Sequence, residues 1–143
     1  MLDYKTLDFI ADLYVPLLLL ALVVLMVRSI IATDWQRFRI EISLLFYGFI
    51  IVYGLMFSDQ LFSIWPRLGL DYSTHTAIAL MLVTLLGFFQ QSVQKTSWCS
   101  LLVYIALMRY QNYHTVSDMV TTAIIVGAIF IPVVQYFSRF YNE

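Results

Sequence analysis

The sequence predicts an all-α protein: a polytopic transmembrane helical bundle of about five spans, forming one integral membrane domain over residues 1–143. Three observations carry that expectation. Hydrophobic residues make up 62% of the chain and charged residues 12%, against about 45–50% and about 25% in soluble globular proteins. A single domain of this length cannot hide so much apolar surface within itself, so its solvent has to be lipid. The apolar residues gather in runs near the roughly 17–25 residues that a helix needs to cross a bilayer. They also lack the polar–apolar alternation of a closed β-barrel, the other way to satisfy a backbone in hydrocarbon.

Each element follows from its own run of residues. The first span covers residues 13–32, with Pro16 in its first turn, where a missing N–H costs little. The second covers 40–57 and the third 73–89. The fourth, 97–110, is short and reaches full length only by including Arg109 and Tyr110. The fifth covers 117–136 and is expected to kink at Pro132. Ahead of the first span, "MLDYKTLDFIADLY" is acidic where a secretory signal is basic, and it has no small-residue cleavage site. The first apolar segment is therefore expected to remain in the mature protein. Cys99, the single cysteine, excludes an intrachain disulfide and reads as apolar filler inside a helix. Gly48, Gly54 and Gly127 are points where helices can approach closely.

Five spans put the two termini on opposite sides. The N-terminus, the "SDQLFSIWPRLGLDY" loop and the "RYQNYHTV" loop then share one side, with the bases Lys5, Arg67 and Arg109. The other side carries Arg28, Arg37, Arg39, Lys95 and Arg139. Lys and Arg favour the cytoplasm. The N-terminus is therefore expected outside and the C-terminus in the cytoplasm, in a plasma or inner membrane. Trp35 and Trp98 at one interface, with Trp65, Tyr72, Tyr110 and Tyr113 at the other, form an aromatic-belt pattern. A net charge of −1 offers no basic surface for nucleic acid.

The chain has two histidines, and both fall where an apolar run begins: His75 in "DYSTHTAIALMLVTLLGFF" and His114 in "MRYQNYHTVSDMVTTAIIVG". Alternating spans bring both to the outer face. His114 and Asp118 are spaced i, i+4, so on a helix their side chains share a face. A carboxylate on one imidazole nitrogen fixes the tautomer and leaves the other nitrogen as nucleophile or base. Taken alone, such a pair is as readily an interfacial ion pair. Two histidines, an aspartate and the nearby Arg67 and Arg109 on one face make a fuller set. With Asp71 these residues could ligate a metal, but arginines oppose a cation, and metal is the weaker alternative. Guanidinium forks match phosphate oxygens. One histidine can attack phosphorus while the other protonates the departing oxygen, with no metal or other cofactor.

These residues resemble a known pattern. "Ser73-Thr74-His75-Thr76" resembles the Ser-Gly-His-Thr motif of the type 2 phosphatidic acid phosphatase superfamily. Arg109, His114 and Asp118 resemble its later motif, and the His-x-x-x-Asp element is also similar to that of the sphingomyelin synthase branch. The resemblance spans the last three helices. It implies that His114 is the nucleophile, Asp118 its partner and His75 the acid for the leaving group. Arg109, Ser73 and Thr74 would bind the phosphate, and Arg67, the only base of the second loop, would stand in for the missing first motif or equally contact a headgroup at the interface. Thr74 stands where the family has glycine, and Arg109 stands five residues before His114 where the family has six. The family's first motif, a lysine followed by an Arg-Pro pair, is absent, as in the synthase branch.

The function expected is a membrane lipid-phosphate phosphatase. It acts through a phosphohistidine on a lipid phosphomonoester or pyrophosphate at the outer face, with that lipid and the bilayer as partners. Two alternatives stand beside it: a headgroup phosphotransferase with a lipid alcohol as acceptor, and a small non-enzymatic membrane protein.

Overall fold

The computed structural model describes residues 4–141, with side chains from Lys5 onward. Asp3 of the acidic N-terminal segment and the final residues of "SRFYNE" lie outside the described residues. Among the described residues five α-helices follow one another: α1 Tyr4–Ile31, α2 Trp35–Phe62, α3 Thr74–Phe89, α4 Gln94–Tyr110 and α5 Val116–Tyr141. Short 3-10 turns at Pro66–Leu68 and Gln91–Val93 flank α3 at some distance and at its end, respectively. There is no strand among the described residues.

Long-range hydrogen bonds give the order of the ends. At the start of α2, Arg37 donates to the Phe89 carbonyl at the end of α3 (3.0 Å), and Gln36 donates to the Phe140 carbonyl near the end of α5 (3.1 Å). At the opposite end, the segment entering α3 meets the first turn of α5 through Asp71 and Asp118 (2.9 Å). Successive helices therefore run in alternating directions.

The axis of the bundle is α3. It packs against each of the other four helices. Its sequence, THTAIALMLVTLLGFF, is apolar on every side, the pattern of a helix with no solvent face. Gly48 sets how closely α2 can approach it: a Cβ there would overlap the Met81 thioether and meet the Phe130 ring at 3.3 Å. Gly54 and Gly127 make no such approach, whereas Gly87 does, with Gln94 Cγ 2.9 Å from where its Cβ would stand.

Among the described residues three helices, α1, α2 and α5, are long and apolar enough to cross a membrane. α3 is apolar but has 16 residues, and α4 has 17, with Lys95, Ser97 and Ser100 among them. The outer faces carry large exposed apolar side chains, such as Phe9 and Leu20 on α1, Phe46 on α2 and Ile124 on α5. Such a surface suits hydrocarbon better than water.

The helices outrun the apolar runs that announced them. α1 and α2 have 28 residues each, about 42 Å at 1.5 Å per residue. The reason in α1 is a continuous inward stripe: Ala11, Leu18, Leu22 and Met26 are buried, and Tyr14 between them stacks on Tyr104 at 4.2 Å. That stripe carries the helix back through the polar segment. Pro16 consequently lies inside α1 rather than in its first turn, and α5 likewise continues through Pro132.

The end of the bundle remote from the histidines is tied by a buried acid. Glu41 is fully buried; its Oε1 accepts from Arg37 Nε (3.2 Å) and the Tyr141 hydroxyl (2.9 Å). The Arg37 guanidinium also lies over the Tyr141 ring, 4.7 Å from its centroid. Two aromatic and cysteine expectations are corrected here. Trp65 is buried, edge-on to Tyr72 at 5.0 Å, and so is core rather than interfacial belt. Cys99 is exposed, on the outward side of α4, rather than internal filler.

Candidate active site

The site end is organised by how two helices begin. Ser73 caps α3: its Oγ accepts the Thr76 N–H (3.4 Å) and pairs with the Thr76 hydroxyl (2.8 Å). Thr115 and Asp118 form a reciprocal capping box at α5, in which the Thr115 N–H donates to Asp118 Oδ2 (2.9 Å). The Asp118 N–H in turn donates to Thr115 Oγ1 (3.2 Å). The two starts are joined to each other. Asp118 Oδ1 accepts the Asp71 N–H (2.9 Å), and the Thr122 hydroxyl accepts the Ser73 N–H (3.1 Å). Two helix N-termini, each with partial positive charge, thus lie side by side. The N–H groups of Thr74 and His75 on α3, and of Val116 and Ser117 on α5, have no hydrogen-bond partner among the described residues. Free amides at a helix start are suited to an anion.

His75 and His114 stand at this same end, one in the first turn of α3 and the other just before α5. His75 is exposed and His114 half-buried. Burial holds the His114 imidazole below its ordinary range; Asp118 opposes this, His75 adds to it, and Asp71 opposes it. A positive charge on His75 disfavours protonation of His114. Neutral imidazole is the form with a nucleophilic lone pair.

The relation between His114 and Asp118 differs from the helical pairing expected of their spacing. α5 starts at Val116, so His114 precedes the helix instead of sharing a face with Asp118. Both Asp118 oxygens accept backbone N–H groups. The aspartate reaches His114 through its charge, and it fixes the loop from which His114 projects.

The other expected site residues divide into two groups. Ser73 is fully buried and its hydroxyl is committed to the cap, whereas Thr74 is half-buried with its N–H unpaired. Arg67, on the 3-10 turn, and Arg109, at the end of α4, are both exposed. Arg109 donates to Asn112 Oδ1 (2.8 Å), and neither arginine pairs with a carboxylate among the described residues. No group of three or more His, Cys, Asp or Glu side chains suited to a metal occurs among the described residues.

Part of the surroundings is not legible from motif spacing. A space of about 10 Å³ beside His75 is walled by Ala11, Asp12, Tyr104, Met108 and Tyr113, room for about one water molecule. The Tyr113 ring lies 6.4 Å from the His75 ring, and its hydroxyl donates to the Asp8 carboxylate of α1. The spacing of Asp8 and Asp12, one helical turn apart on the polar start of α1, is the available signal for this wall. No protein family, curated protein or solved structure matches the chain.

Proposed function

We propose that the chain is a membrane lipid-phosphate phosphatase acting through a phosphohistidine, with all five helices crossing the bilayer and the site at the outer face. The observation that carries this reading is the meeting of two imidazoles with the paired starts of α3 and α5, where four N–H groups lack partners. That combination suits a phosphate and its transfer more than it suits a scaffold. The larger number of bases at the opposite end supports the orientation.

In the proposed reaction, a neutral His114 nitrogen attacks phosphorus and forms a P–N bond. The P–O bond to the lipid breaks, and protonated His75 gives its proton to the departing oxygen. Water then attacks the phosphohistidine, yields its proton to His75, and releases phosphate as the P–N bond breaks. Arg109, Arg67 and the N–H groups of Thr74 and His75 balance the charge on the phosphoryl oxygens. Asp118 is a positioning residue for the His114 loop. Hydrolysis and headgroup transfer share this phosphohistidine and differ in the acceptor, water or a lipid alcohol.

A panel of lipid phosphomonoesters and pyrophosphates, assayed with the wild-type chain and with His114→Ala, tests the proposal. Phosphate release from at least one lipid by the wild type, lost in the variant, is the expected result. Label moving to a second lipid instead would make the chain a transferase. Equal release by both proteins would remove the enzyme assignment.

A further inference from the structure

The end of the bundle opposite the histidines holds a second feature that the reaction does not use. A groove of about 580 Å³ runs along α1 toward the α3–α4 corner, with Leu17, Leu20, Val24 and Leu86 among its walls. It is apolar along most of its length and reaches Arg28, Gln90 and Ser92 at one end. There it continues into a recess of about 220 Å³ that shares Leu25, Arg28 and Gln90 and adds Ser29, Asp34 and Arg37.

The charges of the recess are unequally committed. Asp34 caps α2 by accepting the Arg37 N–H (3.0 Å). The Arg37 side chain is held by Glu41, the Phe89 carbonyl and the Tyr141 ring. Arg28 is exposed and stands in the last turn of α1, and its side chain has neither hydrogen bond nor ion pair among the described residues. Its guanidinium is therefore the cation of the recess available to a ligand, since the Arg37 charge is paired with Glu41.

We propose that this groove binds one anionic phospholipid, its acyl chain along Leu17, Leu20 and Val24 and its phosphate on Arg28. An apolar channel that ends on an unpaired guanidinium matches a molecule with a hydrocarbon tail and an anionic head. The basic end of a membrane protein is also the end that faces the leaflet rich in anionic lipid. The proposal rests on the chain residing in a membrane and is independent of the reaction at His114.

Thermal unfolding in detergent, with phosphatidylglycerol or phosphatidylcholine of equal chain length added, tests it. The His114→Ala chain serves as host, so turnover plays no part. Phosphatidylglycerol is expected to raise the melting temperature above the value with phosphatidylcholine. Arg28→Gln should abolish that difference and Arg28→Lys should keep most of it. Inorganic phosphate alone should give no shift, because it lacks the tail. Equal shifts from the two lipids, or an undiminished difference in Arg28→Gln, would overturn the proposal. So would a shift that follows protein concentration and not headgroup, which would assign the groove to a second copy of the chain.

Discussion

Asp118 Oδ1 accepts the backbone N–H of Asp71 at 2.9 Å, tying the first turn of α5 to the segment that delivers α3. Through its second oxygen the same carboxylate holds Thr115, the residue after His114. One side chain thereby sets the relative position of the two histidine-bearing segments, and it does so without an imidazole contact.

Replacing Asp118 should therefore affect stability and activity together. Asp118→Ala removes two charge-assisted hydrogen bonds from a buried position, a loss of about 2–3 kcal/mol in unfolding free energy. Asp118→Asn keeps one acceptor oxygen and should fall between the two. Denaturant or thermal unfolding in detergent checks the order. An Asp118→Ala chain as stable as the wild type would mean that these bonds do not hold the site together.

The acid limb of activity should report His114. Burial lowers its folded pKa below the ordinary value, so the unfolded chain takes up the proton at higher pH than the folded one. Stability associated with this group is then full above the ordinary histidine value near 6.5 and is lost as pH falls through the lower folded value. In the proposed reaction His114 attacks in its neutral form, so kcat/KM should hold as pH drops below 6.5 and decline only further down. Measuring kcat/KM against pH is the check. A decline centred above 6.5 would contradict the buried, depressed imidazole.

Vanadate should inhibit, because five-coordinate vanadium on an imidazole imitates phosphorus in transfer. EDTA should leave turnover unchanged, since no step requires a metal. Steady-state inhibition assays settle both. Strong inhibition by EDTA, reversed by a divalent cation, would replace the metal-free route with metal-assisted hydrolysis.

Gly48 should tolerate no larger side chain. A Cβ there would overlap the Met81 thioether beside the Phe130 ring, and overpacking of this kind costs about 1–3 kcal/mol. Gly48→Val should lower the melting temperature, whereas Gly54→Val, with nothing within 4 Å of its added Cβ, should not. Similar losses at both positions would argue against the tight α2–α3 approach.

The parts of the fold that one segment determines were legible in the sequence. The helical character of each apolar run and the placement of both histidines at or just before helix starts follow from those runs and their borders. Helix ends were less legible, because α1 is extended by burial of Ala11 and stacking of Tyr14 on Tyr104, contacts with distant elements. Pro16 and Pro132 are held inside helices for the same reason: packing outweighs the loss of one backbone hydrogen bond. In the site, "TVSD" reads equally as half of a His–Asp pair and as a capping box. Which of the two Asp118 serves depends on where the Asp71 N–H points, and that is set by the fold of a separate loop. The Asp8–Tyr113 bond joins the first helix to the last loop, and the Asp8/Asp12 spacing marks only one side of it.

The central claim is that His114 carries the phosphoryl group. Brief reaction with a phosphorus-labelled lipid, an alkaline quench that preserves phosphohistidine, and peptide mapping test it most directly. The label should sit on His114, disappear in His114→Ala, and form more slowly in His75→Ala, while melting temperatures stay within a few degrees of one another. A label on another residue, or phosphate released at an unchanged rate by His114→Ala, would contradict it.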